Sequence, residues 1–186
     1  MDPIKYFKFC PNCRQPFKKP VIPIDCQNCG FHLYLKPALT TALILGNAKG
    51  EVLLTKRKSP PKKNYWDLPG GFVDFKETAE QCLRREIKEE LGINLKRIKY
   101  FGSYWSYYPY RGIRYQTLCL VYTATYRNEK IKIHDDVVDY RFFLKKKIPI
   151  EKLSFDDVRH ALVDYLKRQL SSFCQSQTAK NHKNRR

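Results

Sequence analysis

The stretch RREIKEELG, residues 84 to 92, constrains the chain most. Its spacing predicts a helix that ends at Gly92, a residue suited to the left-handed C-cap. Yet Glu86, Glu89 and Glu90 crowd the last turn. The C-terminal end of a helix is the negative end of its dipole and favours cations. Glu86 and Glu90 are also an i,i+4 like-charge pair. A helix that tolerates both penalties needs a positive partner from elsewhere.

At about 100° per residue, Ala79, Leu83, Ile87 and Leu91 form an apolar stripe for the core. Glu86, Glu89 and Glu90 occupy an adjoining arc about 100° wide. Arg84 and Lys88 face the other way. Hard carboxylate oxygens on one face suit Mg²⁺ or Mn²⁺. An ordinary charged helix with an Arg85–Glu89 i,i+4 pair is the competing reading. Gly70-Gly71 upstream would let backbone approach a ligand closely. Glu77 stands at the helix entrance, where negative charge is favourable.

The front of the chain carries a second cluster. Cys10 and Cys13 form CPNC, and Cys26 and Cys29 form CQNC. Two such knuckles bring four thiolates to a tetrahedron, a closed set that reads as a structural zinc site. An iron or iron–sulfur centre and a disulfide pairing are the alternatives. Residues 1–36 are too few to fold on an apolar core alone, so metal would supply the stability. Cys82, Cys119 and Cys174 are isolated, and the first two read as small apolar residues.

From 37 to 170 the pattern is that of an α/β or α+β domain. Strands are expected at 39–45 and 51–57, with a short one at 65–74 running into the Pro-Gly-Gly loop. A helix is expected at 78–91, then strands near 96–104, 116–126 and 138–144. A final helix is expected over 154–170, with Ser154 as N-cap and Asp157 three residues on. Residues 171–186 read as a basic disordered tail.

Hydrophobic residues make up 42%, enough for a real core, and no apolar run approaches the roughly 20 residues of a membrane span. The N-terminus has no signal-peptide pattern, so a cytoplasmic location without membrane attachment is expected. The net charge of +18 favours a polyanionic partner such as a nucleotide or RNA, or else reflects a lysine-rich surface.

Residues 71 to 93, GFVDFKETAEQCLRREIKEELGI, resemble the Nudix box, G-x5-E-x7-R-E-U-x-E-E-x-G-U with U aliphatic. Gly71, Glu77, Arg85, Glu86, Glu89, Glu90 and Gly92 match, with Ile87 and Ile93 at the aliphatic positions. The resemblance implies a Nudix α/β/α sandwich over 37–170, behind a small N-terminal zinc ribbon. It implies a hydrolase of nucleoside diphosphates linked to another moiety. Glu86, Glu89 and Glu90 would then hold Mg²⁺ or Mn²⁺, with the Gly71 carbonyl as a further ligand. Arg85 and Glu77 would be a structural ion pair.

A ribbon ahead of a Nudix domain resembles the NADH pyrophosphatase branch. That branch carries S-Q-P-W-P-F-P-x-S after the box. Here SYWSYYPYR keeps Ser103 and Pro109, with Tyr108 for the phenylalanine, and otherwise departs. These departures tell against NAD(H) in particular; from the complete box and the two knuckles the expected substrate is a dinucleotide or nucleotide-sugar type diphosphate such as NAD(H), ADP-ribose or FAD. The chain is expected to be one of the shorter zinc-ribbon members, with a homodimer compatible with the resemblance.

Aromatic residues over 100–115 could stack on a base, with Tyr108 and Arg111 as binding candidates, or could simply cover the core. Trp66 is divided between the same two roles, with core packing favoured. Asp136 stands where the family commonly has a glutamate and is a candidate extra ligand or base. Two rival functions remain: action on RNA 5′ ends, and a non-catalytic nucleotide sensor that binds nucleic acid.

Overall fold

The computed structural model describes the backbone of residues 2–183 and the side chains of residues 2–169. Strand β1 (Ile24–Asp25) pairs antiparallel with β2 (His32–Leu33) beside the cysteine knuckles. The larger sheet is mixed and six-stranded. It contains β3 (Ala38–Gly46), β4 (Glu51–Arg57), β5 (Trp66–Asp67), β6 (Lys99–Tyr110), β7 (Ile113–Thr125) and β8 (Val137–Leu144). Its order is β5-β4-β3-β7-β6, with β8 also paired to β4. β3 runs parallel to β7 along its whole length, from Ala38↔Thr117 to Gly46↔Thr125. β4 meets β3 only at Gly46↔Val52 and then lies antiparallel to β8.

Alternation along the strands builds two cores. Leu43, Leu45 and Leu53 point to one face, against Leu83, Ile87 and Leu91 of helix α1 (Ala79–Leu91). Ala42, Ile44, Val52 and Leu54 point to the other, against Val158, Ala161 and Leu162 of helix α2 (Asp156–Lys183). The result is the expected α/β/α sandwich, and the expected stripe on α1 is the face that it buries. α1 is bounded by local chemistry. Thr78 and Gln81 form a reciprocal capping box, with hydrogen bonds of 3.2 and 2.7 Å. Gly92 closes the other end at φ 69°, donating to Lys88 O.

Three expectations need correction. The strands near 96–104 and 116–126 are one longer hairpin, 99–125, turning at Arg111 and Gly112, both at positive φ. The aromatic run 100–115 supplies β-formers that extend it to a two-residue turn. Ser154 is not the N-cap of α2. Its N–H donates to Trp66 O beside the Trp66–Leu153 bridge, so it belongs to the sheet edge, and the helix starts at Asp156. Asp157 accepts from Val158 N instead of closing a capping box. Finally, α2 runs on to Lys183 where a disordered tail is expected, because no Gly or Pro interrupts 156–183. Residues 184–186 of that tail, and the side chain of Cys174, lie outside the described residues.

Leu83 is fully buried between α1 and the sheet. Leu83→Ala is expected to lose about 2–5 kcal/mol of stability. Lys88→Ala on the exposed face should change it by less than about 0.5 kcal/mol. Urea denaturation of the two variants checks this, and equal effects would place the core on the wrong face of α1.

Candidate active site

Residues 69–73 run along the start of β3. Leu43 N donates to Pro69 O, Thr41 N to Gly71 O at 2.8 Å, and Val73 N to Leu39 O. The approach is so close that a Cβ on Gly70, at φ 144°, would lie 2.2 Å from Thr41 O. A Cβ on Gly71 would lie 2.3 Å from a carboxylate oxygen of Glu86. Glycine is thus required at Gly70 by the backbone of β3, while a side chain at Gly71 would displace the Glu86 carboxylate. Gly70 N then donates to Glu90 Oε2 at 3.0 Å. Two of the three glutamates therefore converge on the Gly70–Gly71 backbone.

Arg85 organises the rest. Its guanidinium donates to Glu77 Oε1 at 2.7 Å and Oε2 at 3.2 Å, to Glu86 Oε1 at 2.8 Å, to Glu89 Oε2 at 3.1 Å and to Phe72 O at 3.1 Å. Asp74 lies 3.6 Å away. Both readings of Arg85 hold: it pairs with Glu77 and also makes the i,i+4 pair with Glu89. Glu89 itself is half-exposed and bonds to Arg85.

The electrostatics follow from burial. Glu90 is 9% exposed, and loss of water pushes its carboxyl well above the usual range against the opposing Gly70 N–H. Burial likewise raises Glu86, opposed by Arg85. Glu77 goes the other way: its hydrogen bonds from Arg85, then from Asp74 N, bring it down to about 2.

Of the residues proposed to bind substrate, Gly71 and Tyr108 line the cavity beside this backbone, which also takes in Asp67, Arg57, Phe155 and Asp157. Trp66 does not line it. Its ring is buried and packs edge-on to Phe143, 5.0 Å between centroids. Arg111 sits at the hairpin turn over Tyr110, and Arg57 is the cation of the cavity. Asp136 accepts from Ser59 Oγ at 3.3 Å and is turned aside; its neighbour Asp135, at φ 53°, is the one whose charge reaches Glu86.

The four cysteines gather as their spacing predicts. Their sulfurs lie within 4.8 Å of one another, and among the described residues they are the one group of potential metal donors so closely gathered. Asn12 Nδ2 reaches Cys29 Sγ and Asn28 Nδ2 reaches Cys13 Sγ, both at 3.5 Å and both across the knuckles. The Asn28 amide is the main cause that brings the Cys13 thiol down to about 6. Neither asparagine stood out in the sequence, although each occupies the same place in its CxxC.

Comparison with known proteins agrees with this geometry. The NUDIX domain model matches residues 36–163. An ADP-ribose pyrophosphatase of Methanocaldococcus jannaschii is 36% identical over 137 residues, 74% of this chain and 78% of that protein. The NAD-capped RNA hydrolase NudC of Pseudomonas aeruginosa is 28% identical over 167 residues, 88% of this chain. The chain spans 57% of that NudC. A MutT NUDIX hydrolase structure from Burkholderia pseudomallei superposes with TM-score 0.60 at 29% identity, covering 68% of this chain and 96% of that one. The chain belongs to the Nudix family. It is a hydrolase of pyrophosphate bonds, a class that uses divalent metals. Among the described residues no helix is long and apolar enough to cross a membrane.

The Glu77 pair gives a pH signature. A depressed folded-state pKa contributes stability that is present above the unfolded value near 4.5 and fades as pH falls toward 2. The stability gap between wild type and Glu77→Gln should be constant above pH 5 and shrink below it, as read by denaturant melts. A gap that widens on acidification would mean that Glu77 is not paired while ionised.

Proposed function

We propose that the chain is a Mg²⁺- or Mn²⁺-dependent pyrophosphohydrolase of a nucleoside diphosphate joined to a second moiety, with ADP-ribose as the leading substrate. The observation that carries this is the convergence of Glu86 and Glu90 on Gly70–Gly71, at the edge of a ring-lined cavity. The likeness to the M. jannaschii pyrophosphatase supports the substrate. The donors suit a hard cation: carboxylate oxygens, two of them desolvated against one another, beside a backbone carbonyl at Gly71. Glu86, Glu89 and Glu90 would hold it.

Such a cation neutralises the diphosphate and lowers the pKa of water. The chain's own residues do the remaining work. Arg85 fixes the orientation of Glu86 and Glu89, and Glu77 fixes Arg85. Gly70 N orients Glu90, and Gly71 leaves room for Glu86. A carboxylate of the set then accepts the proton of the attacking water. Tyr108 supplies a ring face to the substrate's base. At the front of the chain the four-thiolate set suits a structural zinc ion, with the Asn28 and Asn12 amides lowering the Cys13 and Cys29 thiols.

A second reading has its own support. The likeness to NudC and the net charge of +18 favour a diphosphate at an RNA 5′ end. Product analysis on ADP-ribose, NADH, FAD, capped RNA and nucleoside triphosphates separates the two. Glu86→Gln is expected to lower turnover about 10²- to 10⁴-fold on the preferred substrate while the protein stays folded. Unchanged turnover in that variant would remove Glu86 from the chemistry. For the ribbon, metal analysis should find zinc in the wild type and none in Cys26→Ser; equal metal in both would refute the four-thiolate site.

A further inference from the structure

The cysteine module contains one turn built twice. In the first knuckle Arg14 N donates to Cys10 O at 2.9 Å, and Cys10 N donates to Gln15 O at 2.8 Å. In the second, Gly30 N donates to Cys26 O and Cys26 N to Phe31 O, both at 2.9 Å. Arg14 and Gly30, which follow the two cysteine pairs, both lie at positive φ, 63° and 71°. The sulfurs then meet crosswise. Cys10 Sγ lies 3.7 Å from Cys29 Sγ, and Cys13 Sγ lies 3.5 Å from Cys26 Sγ. The first cysteine of each knuckle thus faces the second of the other.

Burial divides the four sulfurs along the same line. Cys10 and Cys26 are buried, whereas Cys13 is half-buried and Cys29 is exposed. The outer two are the ones that receive side-chain amides. Asn28 Nδ2 donates to Cys13 Sγ and Asn12 Nδ2 to Cys29 Sγ, both at 3.5 Å. Each amide therefore belongs to the knuckle opposite the sulfur that it serves. Four thiolates around one Zn²⁺ keep two formal negative charges. A donor to a thiolate offsets part of that charge and makes the sulfur less nucleophilic. The buried sulfurs have protein around them, and the outer ones depend on the amides.

We propose that Asn12 and Asn28 are reciprocal positioning residues of the metal site, each fixing and shielding the outer thiolate of the opposite knuckle. The site is then complete only when both knuckles are in place. The outer sulfurs, and not the buried pair, become the points at which metal is lost. This inference rests on the zinc reading of the cysteine set.

The experiment compares zinc-loaded wild type, Asn12→Ala, Asn28→Ala and the neighbouring Gln27→Ala. Competition with a chromophoric chelator gives zinc affinity, and limiting N-ethylmaleimide followed by mass spectrometry gives the first cysteine modified. Each asparagine variant is expected to hold zinc about tenfold more weakly, with Gln27→Ala like wild type. The site of modification carries the sharper expectation. Asn28→Ala should raise the share of first modification at Cys13, and Asn12→Ala the share at Cys29. A rise within the variant's own knuckle, or no change of affinity or site, would overturn the proposal, because a general loosening of the module does not cross between knuckles. Wild type alone decides if the variants fail to fold. Loaded with the magnetic cadmium isotope, it should show the metal coupled in nuclear magnetic resonance to the cysteine β-protons and to the Asn12 and Asn28 side-chain amides. Coupling to the cysteines alone defeats the asparagine roles and leaves the four-thiolate site. A protein that takes up no cadmium or zinc defeats both.

Discussion

Arg85 is the interaction on which the rest of the site depends. One planar guanidinium serves Glu77, Glu86, Glu89 and the Phe72 carbonyl at once. Only arginine has enough donors in a fixed fork to do so. The bonds to Phe72 and Glu77 hold the loop after Gly71 against α1. The bonds to Glu86 and Glu89 hold two like charges side by side at a helix end that disfavours both. Because the loop is held there, Gly70 can donate to Glu90 and Gly71 can lie against Glu86. The carboxylate geometry and the cavity beside it thus have one origin.

The two glycines show how the sheet and the helix share the task. Gly70 is demanded by the Thr41 backbone of β3, and the absence of a side chain at Gly71 leaves the Glu86 carboxylate of α1 its place. This Gly-Gly step lies between the sheet and the helix. Both layers of the sandwich also meet at the cavity: Gly71 and Phe72 come from the α1 side, Phe155 and Asp157 from the start of α2.

What was legible in the sequence was local. The α1 helix, its glycine stop, the buried stripe and the Arg85–Glu77 pair all lie within 23 consecutive residues, where spacing determines geometry. The cysteine knuckles are equally local. The aromatic hairpin was placed correctly but too short, because its turn at Arg111–Gly112 contains only one glycine and no other turn signal. What was missed is non-local. Arg57 comes from β4, Asp67 from β5 and Asp157 from α2, and only the folded sheet brings them together. Asp157 reads as a helix-cap residue; for Trp66 the sequence leaves stacking and core packing both open and favours the core, where its packing on Phe143 puts it. In the same way Asp136, singled out by position, bonds to Ser59, and it is Asp135 whose charge reaches Glu86.

The claim at the centre of the account is that the acidic end of α1 is a divalent-cation site. The most direct measurement is a Mn²⁺ titration of the zinc-loaded protein, wild type against Glu86→Gln, by electron paramagnetic resonance. The account predicts that wild type binds Mn²⁺, that the variant binds it at least about tenfold more weakly, and that zinc content is the same in both. Equal Mn²⁺ affinity in the two proteins, or Mn²⁺ uptake only as zinc leaves, would contradict it.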